Sequence, residues 1–495
     1  MKISFFVEKI KNSRLITNIS IYTIGNVLQK SAEFILLPLW SRFLSPKDYG
    51  ITGVLISYIG VLLPIFTLSL QSYISYIYYK FKGEDGKLRH CISSIYVFQL
   101  FFSLFLLMLL IIFGGKLWQL IIKNDISFNP FGIIMLLITF FDGLNLIPMS
   151  LYQIQHKAKK YISLQLFTFL LNVILTVIFV IILRKGAYGK MLAMLLTYIS
   201  IAIYNYIFMI KNYHIVLFDS SQISKSLLYS VPIIPHNLSS WALNAADRLI
   251  LEKYVDLNLL GLYNFGYTMG LAMNVIVNAI NQAWMPHYLE IMHHNVKRDI
   301  ILRKELFYYI LIMGSICFFG IIFNYEFIYF FIPKVYLNSV IYIPAILLGY
   351  FFVGLYKFTS APLFFYRRTK IIAIISGFSA SINIILNFIF VPNYGPVASA
   401  WITTFSYFTL FIFSYISSRR IDEVKHSFDK HFIYISLIIF VAILINKLNY
   451  LNIYSFILKI GICVFYVIFI FVLYKDNIFF GKNKILINKR NILRD

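Results

Sequence analysis

An internal repeat is visible where Asn172-Val-Ile-Leu-Thr-Val-Ile-Phe-Val180 is matched, 211 residues later, by Asn383-Ile-Ile-Leu-Asn-Phe-Ile-Phe-Val391. Other pairs share this offset: the basic loops that begin at His156 and Arg367, Gly50 with Gly261, and Asn26 with Asn237. Tyr188-Gly189 aligns with Tyr394-Gly395 at an offset of 206, so the loop before it is longer in the first half. Apolar sequences match easily by chance, but several pairs at one offset predict a duplicated unit.

The composition indicates the class of protein that carries this repeat. Of the 495 residues, 60% are hydrophobic and only 13% are charged, with a mean hydropathy of +0.78. A soluble surface needs about a quarter of all residues charged. The chain is therefore predicted to be an all-α polytopic membrane protein, which excludes cytosolic enzymes and disulfide scaffolds. Its three cysteines lie apart in apolar segments and predict neither disulfide nor metal site.

Transmembrane helices need about 20 apolar residues each, and on this rule the chain contains about fourteen spans. The predicted spans are 16–40, 50–78, 91–113, 130–151, 161–183, 187–210, 226–250, 259–285, 305–323, 340–365, 371–391, 396–416, 432–446 and 453–474. The thirteenth is short, so twelve spans remain possible. Six spans per unit predict two parallel repeats, residues 1–215 and 216–425, followed by two further helices and a basic tail in 426–495.

The distribution of the basic residues among the loops, in a chain with a net charge of +24, determines the predicted orientation. Roughly three times as many Lys and Arg residues fall in the loops and tails on the side of the termini as on the other side, which predicts cytoplasmic termini. In a soluble chain this charge would suggest nucleic acid, but here it lies in short loops between apolar spans. No nucleic-acid partner is therefore expected. Substrate sites in such repeated transporters lie between the repeats near the bilayer midplane, so we expect alternating access.

Polar residues inside the predicted spans are candidates for that site. Asn237 and Asn244 lie on span 7, and Asn274 and Asn278 lie on span 8. Thr168, Asn172 and Thr176 on span 5 align with Ser379, Asn383 and Asn387 on span 11. Any single amide is most simply interhelical glue, whereas stripes from both repeats favour a shared hydrated cavity.

Charged residues within spans are costly, about 2.5–3.5 kcal/mol each at a helix centre, and are tolerated where they are paired, hydrated or functional. Lys30 and Glu33 lie three residues apart on span 1 and could neutralise each other. Asp142 on span 4 has no cationic neighbour within a turn, and Lys357 lies late in span 10. Asp247 and Arg248 are predicted to form an interfacial pair near the external end of span 7.

Two prolines, Pro232 and Pro235, interrupt span 7. Proline frees carbonyl groups and kinks helices, so this segment is the candidate hinge, with a rigid kink as the alternative.

At these residues the chain resembles the polysaccharide-export branch of the multidrug/oligosaccharidyl-lipid/polysaccharide exporter superfamily, the Wzx-type repeat-unit flippases. The segments that carry the resemblance are Leu39-Trp-Ser-Arg-Phe-Leu-Ser-Pro-Lys-Asp-Tyr-Gly50, Pro232-Ile-Ile-Pro235, Asp247-Arg-Leu-Ile-Leu251, Gly261-Leu-Tyr263, and Asn383 to Tyr394-Gly395. They extend over essentially the whole chain, and they are specific to the family more than to a substrate.

The resemblance implies a fourteen-helix inner-membrane flippase that moves an undecaprenyl-diphosphate-linked oligosaccharide to the outer leaflet for O-antigen, capsule or a related glycan. The family's cavity is typically cationic, and Lys30, Arg42, Arg248 and Lys357 match in kind. Cations could bind the diphosphate, and amides could bind sugar hydroxyls. Membrane lipids would be partners, and a glycan polymerase and a chain-length regulator are candidate partners.

The energy source is expected to be an ion gradient. The sequence contains no G-x-x-x-x-G-K-[ST] loop for ATP, and no cofactor is expected. Antiport of H⁺ or Na⁺ is an adequate source because a charge crossing the membrane gains about 2.3 kcal/mol per 100 mV. The candidate carriers are Glu33, Asp142 and Asp247.

Three other functions remain open at this stage. A cation-coupled multidrug exporter would need acidic groups in the cavity. A lipid-II flippase would share both the architecture and the lipid diphosphate. A polymerase or ligase of lipid-linked glycans is disfavoured because the loops are short.

Overall fold

The computed structural model describes residues 34–81, 83–213, 218–294, 298–421, 429–447 and 453–492, and in these ranges the chain is helical without β-strands. The helices are α1 (Leu37–Phe43), α2 (Pro46–Thr67), α3 (Gln71–Lys80), α4 (Asp85–Ile121), α5 (Ile133–Ile154), α6 (Ala158–Thr176), α7 (Gly186–Tyr213), α8 (Ser220–Ser230), α9 (Ile234–Glu252), α10 (Leu257–His294), α11 (Arg298–Ile322), α12 (Asn324–Phe331), α13 (Ile343–Phe365), α14 (Thr369–Ile421), α15 (Asp429–Leu444) and α16 (Ile453–Ile492).

The helices have the lengths and hydropathies expected of membrane spans. In the described ranges, nine helical stretches are long and apolar enough to cross a bilayer, and a shorter apolar helix covers His431–Leu444. One of the nine, α14, contains both predicted spans 11 and 12. The prediction of an all-α polytopic membrane protein is thus confirmed. Most of span 1, with Lys30 and Glu33, lies outside the described residues.

The long helix α14 is in fact a hairpin. Gly395 has φ +59° and ψ −146°, a conformation that L side chains rarely adopt, so glycine is needed at this turn. Asn387 accepts a hydrogen bond from Ser399, and Asn383 donates one to Thr403. Because the paired positions move apart symmetrically about the turn, the two halves of α14 run antiparallel, as two successive spans must.

Predicted span 2 was expected to be one helix, and this prediction is wrong. Leu68 and Ser69 both have positive φ, 48° and 52°, and they separate α2 from α3. Pro64, which has no backbone N–H to donate, lies one turn before the break. At its other end α2 begins with a capping box, in which Ser45 and Asp48 each bond the other's backbone N–H.

Span 7 is divided at its prolines. A short 3₁₀ segment, Val231–Ile233, connects α8 to α9. The N-terminal end of α8 contacts α4, since the Asp219 backbone N–H donates to Ser94 Oγ (2.7 Å). The α9 helix contacts α14 in addition to α2, and the Tyr407 hydroxyl of α14 lies 3.0 Å from the Leu243 carbonyl oxygen. The chain therefore passes from the first half of the bundle to the second at this segment.

The helices α2 and α10 meet at one end of the bundle in a reciprocal contact. A Cβ on Gly50 would overlap the Leu257 carbonyl oxygen, and a Cβ on Gly261 would overlap the Pro46 carbonyl oxygen. Both contacts exchange under the offset of 211, as in an interface related by a twofold axis. Only glycine permits this approach of the backbones, which seals this end between the two halves.

Candidate substrate cavity

A cavity of about 640 Å³ lies between the two halves of the bundle, next to the sealed end. Its volume falls within the range of small-molecule sites, about 300–1,000 Å³. Helices α2, α6 and α7 form one wall, and α9, α10 and α13 contribute to the other. The polar residues lining it include Thr52, Thr168, Asn172, Thr176, Lys190 and Thr197 on the first side and Asn244, Arg248, Asn264 and Tyr267 on the second.

Hydrogen bonds between the halves hold these walls together. Asn264 on α10 donates to the Tyr49 carbonyl oxygen at 3.0 Å, and the Trp241 indole on α9 donates to the Ser57 carbonyl oxygen at 2.9 Å. Both acceptors belong to α2. The end of the cavity nearest Gly50 and Gly261 is consequently closed by direct backbone packing and by side-chain bonds to the backbone.

Arg248 is a buried cation in the wall of the cavity. Its side chain is 9% exposed, and its guanidinium lies 4.0 Å from the centroid of the Tyr267 ring. Nε donates to Asn264 Oδ1 (2.9 Å) and Nη1 to the Asn244 carbonyl oxygen (2.6 Å). These contacts come from α9 itself and from α10, so the guanidinium is fixed in one orientation before any ligand binds.

Asp247 supports Arg248 from outside the cavity lining. Its Oδ1 lies 3.3 Å from Arg248 Nη1, and its Oδ2 accepts a hydrogen bond from the Tyr263 hydroxyl. Asp247 and Arg248 form a pair, as the sequence predicted, and both are buried in the bundle, at 2% and 7% exposure. They lie in the last two turns of α9 and pack against α10 instead of meeting the solvent.

Two of the predicted asparagines have different positions. Asn244 lines the cavity, and its Oδ1 lies 2.9 Å from the Tyr407 hydroxyl. Asn237 does not line it; its amide donates to Ser69 Oγ (3.0 Å), at the break between α2 and α3. Asn237 therefore connects α9 to the non-helical segment that follows α2.

Lys357, Asn274 and Asn278 form a second cluster further along the bundle. Lys357 Nζ donates to Asn278 Oδ1, and Asn278 Nδ2 lies 2.9 Å from Asn274 Oδ1. Lys357 is two turns from Tyr350, a cavity residue on the same helix. None of the three cluster members lines the cavity beside Arg248.

The remaining predicted residues lie apart from this site. Arg42 is exposed in the last turn of α1 and does not line the cavity. Asp142 is half-buried in the middle of α5, and in the described part of the chain it makes no hydrogen bond or ion pair. Pro232 and Pro235 are exposed at the junction of α8 and α9.

Lys190 was not among the predicted site residues. It lies in the second turn of α7, within predicted span 187–210, and it lines the cavity with Nζ 5.1 Å from the centroid of the Tyr49 ring. The offset of 206 aligns it with Pro396, so the repeat gives no signal either. Among the described residues that line the cavity, each half of the bundle thus contributes one cation, Lys190 or Arg248.

Comparisons with known proteins agree with this architecture. An uncharacterized membrane protein of Haemophilus influenzae is 24% identical over 74% of this chain and 88% of its own length. The fold is similar to lipid II flippase MurJ in an inward closed conformation (TM-score 0.69, 17% identity, 94% of this chain and 100% of that chain). It is also similar to an inward-facing multidrug resistance MATE family transporter of the MOP superfamily (TM-score 0.64, 14% identity, 81% and 94%).

The family assignment follows from the sequence. Residues 15–292, more than half of the chain, match the sequence model of a family described as polysaccharide biosynthesis protein. The matched region includes α2, the cavity residues of α6 and α7, and the buried Arg248. The chain belongs to the polysaccharide biosynthesis protein family, as the resemblance predicted, and has the fold of the MurJ and MATE transporters.

Proposed function

We propose that the protein is a flippase that moves an undecaprenyl-diphosphate-linked oligosaccharide from the cytoplasmic to the outer leaflet of the bacterial inner membrane. The observation that carries the proposal is the buried, pre-oriented Arg248 guanidinium in a cavity between two halves of the bundle. Arginine suits diphosphate because its planar fork donates charge-assisted hydrogen bonds to phosphate oxygens.

The distribution of charge supports an anionic ligand. Arg248 lines the cavity, whereas its counter-ion Asp247 does not, so a ligand meets the cation first. Lys190 adds a second positive charge from the other half. A cationic drug would meet two cations here, which disfavours the multidrug alternative. A lipid-II flippase shares the diphosphate and differs in its sugars and peptide, so it remains the second candidate.

Lys30 and Glu33 belong to the proposed site through the repeat. The offset of 211 aligns Lys30 with Trp241 and Glu33 with Asn244, and both of these partners line the cavity. Lys357 and its amide partners lie two turns further along the bundle. We propose that this cluster contacts the substrate before or after Arg248 does. We also propose that Arg42 contacts the substrate at the entrance of the cavity.

Alternating access is proposed to use the junction between α8 and α9. The N-terminal end of α8 is bound to α4 of the first half, through Asp219 and His90 (3.1 Å), whereas α9 is bound to α14 of the second half. If the two halves rotate relative to each other, the largest change in backbone dihedral angles would fall between α8 and α9, at Pro232 and Pro235. The basic loops favour cytoplasmic termini, and on that orientation the sealed end faces the periplasm.

A deletion strain tests the proposed function. Loss of surface glycan, with single lipid-linked repeat units retained on the cytoplasmic face of the inner membrane, is the expected outcome. Normal glycan with altered drug sensitivity would instead support a multidrug exporter. Arrest of peptidoglycan synthesis would support a lipid-II flippase. Co-purification would test association with a polymerase or chain-length regulator.

Asp142 is the first ion carrier to test, because Asp247 is already bonded to Arg248 and Tyr263. We expect Asp142→Asn to remove the dependence of substrate flipping on an imposed H⁺ or Na⁺ gradient in proteoliposomes, because an amide cannot exchange a proton or bind a cation as a carboxylate does. Asp125→Asn, an exposed carboxylate between predicted spans 3 and 4, is the matched control. Unchanged gradient dependence in Asp142→Asn would exclude this carboxylate from coupling.

A further inference from the structure

The aligned asparagines Asn172 and Asn383 have different surroundings in the two halves. Each donates to the equivalent threonine, Asn172 to Thr197 (3.5 Å) and Asn383 to Thr403 (3.4 Å). However, Asn383 is fully buried, whereas Asn172 is half-buried and lines the cavity. The α6–α7 pair therefore exposes its asparagine amide to the cavity, whereas the equivalent pair of helices in α14 buries the amide.

The hydrogen-bond partners of the two amides also differ. In the second half, Asn387 Nδ2 lies 3.3 Å from Asn383 Oδ1, and Asn387 in turn accepts a hydrogen bond from Ser399 (2.7 Å). The positions equivalent to Asn387 and Ser399 are Thr176 and Ala193, which do not supply this chain of bonds.

The next polar position along the stripe repeats this difference. Ser379 accepts a hydrogen bond from Thr409 (3.2 Å). Its counterpart Thr168 lines the cavity, and the residue equivalent to Thr409 is Ile203. Thr168 donates only to the Leu164 carbonyl oxygen of its own helix. In the described part of the chain, Asn172 Oδ1 has no hydrogen-bond donor, so two polar groups are left for a ligand.

The chemistry of this wall suits sugar hydroxyls. Hydroxyl groups both donate and accept, and the Asn172 amide offers an acceptor oxygen beside a donor nitrogen. Asn172, Thr176 and Thr168 form a neutral stripe on α6 without a carboxylate, so it has no preference for a cation. Trp40 and Trp241 line the same cavity and offer broad apolar faces. The charged residue of this wall, Lys190, lies about 10 Å from Thr197 along α7, towards the sealed end.

We propose that the α6–α7 wall, centred on Asn172, is the glycan subsite of the cavity and that Arg248 on the opposite wall holds the diphosphate. The assignment rests on the proposed flippase function. On this assignment, the first half of the bundle determines which sugars are accepted. The polar side chains that would bind the sugars are equivalent to those that hold the two helices of α14 together in the second half.

Binding of two ligands distinguishes the glycan subsite from the diphosphate subsite. The ligands are undecaprenyl diphosphate and the undecaprenyl-diphosphate-linked oligosaccharide fraction extracted from the deletion strain. Equilibrium binding is measured with the full chain in nanodiscs. We expect Asn172→Ala to weaken binding of the oligosaccharide lipid about tenfold, the effect of about 1.4 kcal/mol of lost hydrogen bonding. Binding of undecaprenyl diphosphate should change less than about twofold.

A second variant keeps Asn172 but gives its Oδ1 a hydrogen-bond donor from within the protein. Thr176→Asn with Ala193→Ser copies the bonding of Asn387 and Ser399 into the first half, and it should reduce oligosaccharide binding selectively while retaining thermal stability. Asn383→Ala is the matched control in the second half. It is expected to lower thermal stability without distinguishing the two ligands, because Asn383 is buried within its own half.

The outcomes separate this inference from the proposed function. If the unaltered protein binds neither ligand, the flippase proposal fails and the subsite with it. If it binds both lipids equally well, or if Asn172→Ala weakens both alike, the glycan subsite is wrong while diphosphate binding stands. Full oligosaccharide affinity in both the Asn172 variant and the double variant would likewise overturn it.

Discussion

Replacing Arg248 with alanine is expected to weaken binding of undecaprenyl diphosphate by about 10- to 100-fold and to abolish surface glycan. Charge-assisted hydrogen bonds contribute about 1.5–3 kcal/mol each, and tenfold in affinity corresponds to about 1.4 kcal/mol. Arg248→Lys should recover part of the binding, because it keeps the charge but loses the planar fork that Asn264 and Tyr267 orient.

Loss of folding must be separated from loss of binding. Removing Arg248 leaves Asp247 buried with an uncompensated charge, which typically costs about 3–5 kcal/mol. The double variant Asp247→Asn with Arg248→Ala removes that charge while Tyr263 retains a hydrogen-bond partner. It should restore thermal stability and membrane abundance without restoring binding. Recovery of diphosphate binding together with stability would rule out Arg248 as the ligand.

Much of the architecture could be predicted from the sequence, because the repeat and the hydropathy pattern depend only on the order of residues along the chain. The offset aligned Gly50 with Gly261 before any contact between them was known, and they meet in the reciprocal α2–α10 contact. The break at Leu68 and Ser69 could not be predicted. Leu68 is not a usual turn former, and neither leucine nor serine commonly adopts positive φ, so this conformation depends on the surrounding helices.

The site was less predictable because exposure depends on neighbours that are distant in sequence. Asp247 and Arg248 were placed at the membrane interface by counting residues, but α10 covers them with Tyr263 and Asn264. Asn172 and Asn383 have similar local sequences, yet Asn383 is buried and Asn172 is half-buried beside the cavity. Such differences become readable only when the helix pairs are known.

Gly261→Ala is expected to separate the two halves at the sealed end. Its Cβ would overlap the Pro46 carbonyl oxygen, and backbone cannot move aside as a flexible side chain does. Overpacking of this kind costs about 1–3 kcal/mol. Because the clash exists only where α2 and α10 touch, it penalises the sealed state and leaves an opened state unaffected. The population should therefore shift towards the opened state by about 5- to 150-fold.

Spin labels on cysteines at Lys47 and Asn258 measure this shift. Both residues are exposed at the sealed end and are equivalent under the repeat. In a background without the three native cysteines, Gly261→Ala and Gly50→Ala should each lengthen the distance between the labels. Gly377→Ala is the matched control, because a Cβ there meets no neighbouring atom within 4 Å. An unchanged distance distribution in both Gly261→Ala and Gly50→Ala would mean that the α2–α10 contact does not control opening. A longer distance between the labels in these two variants, but not in Gly377→Ala, would identify the paired glycines as the closure between the halves.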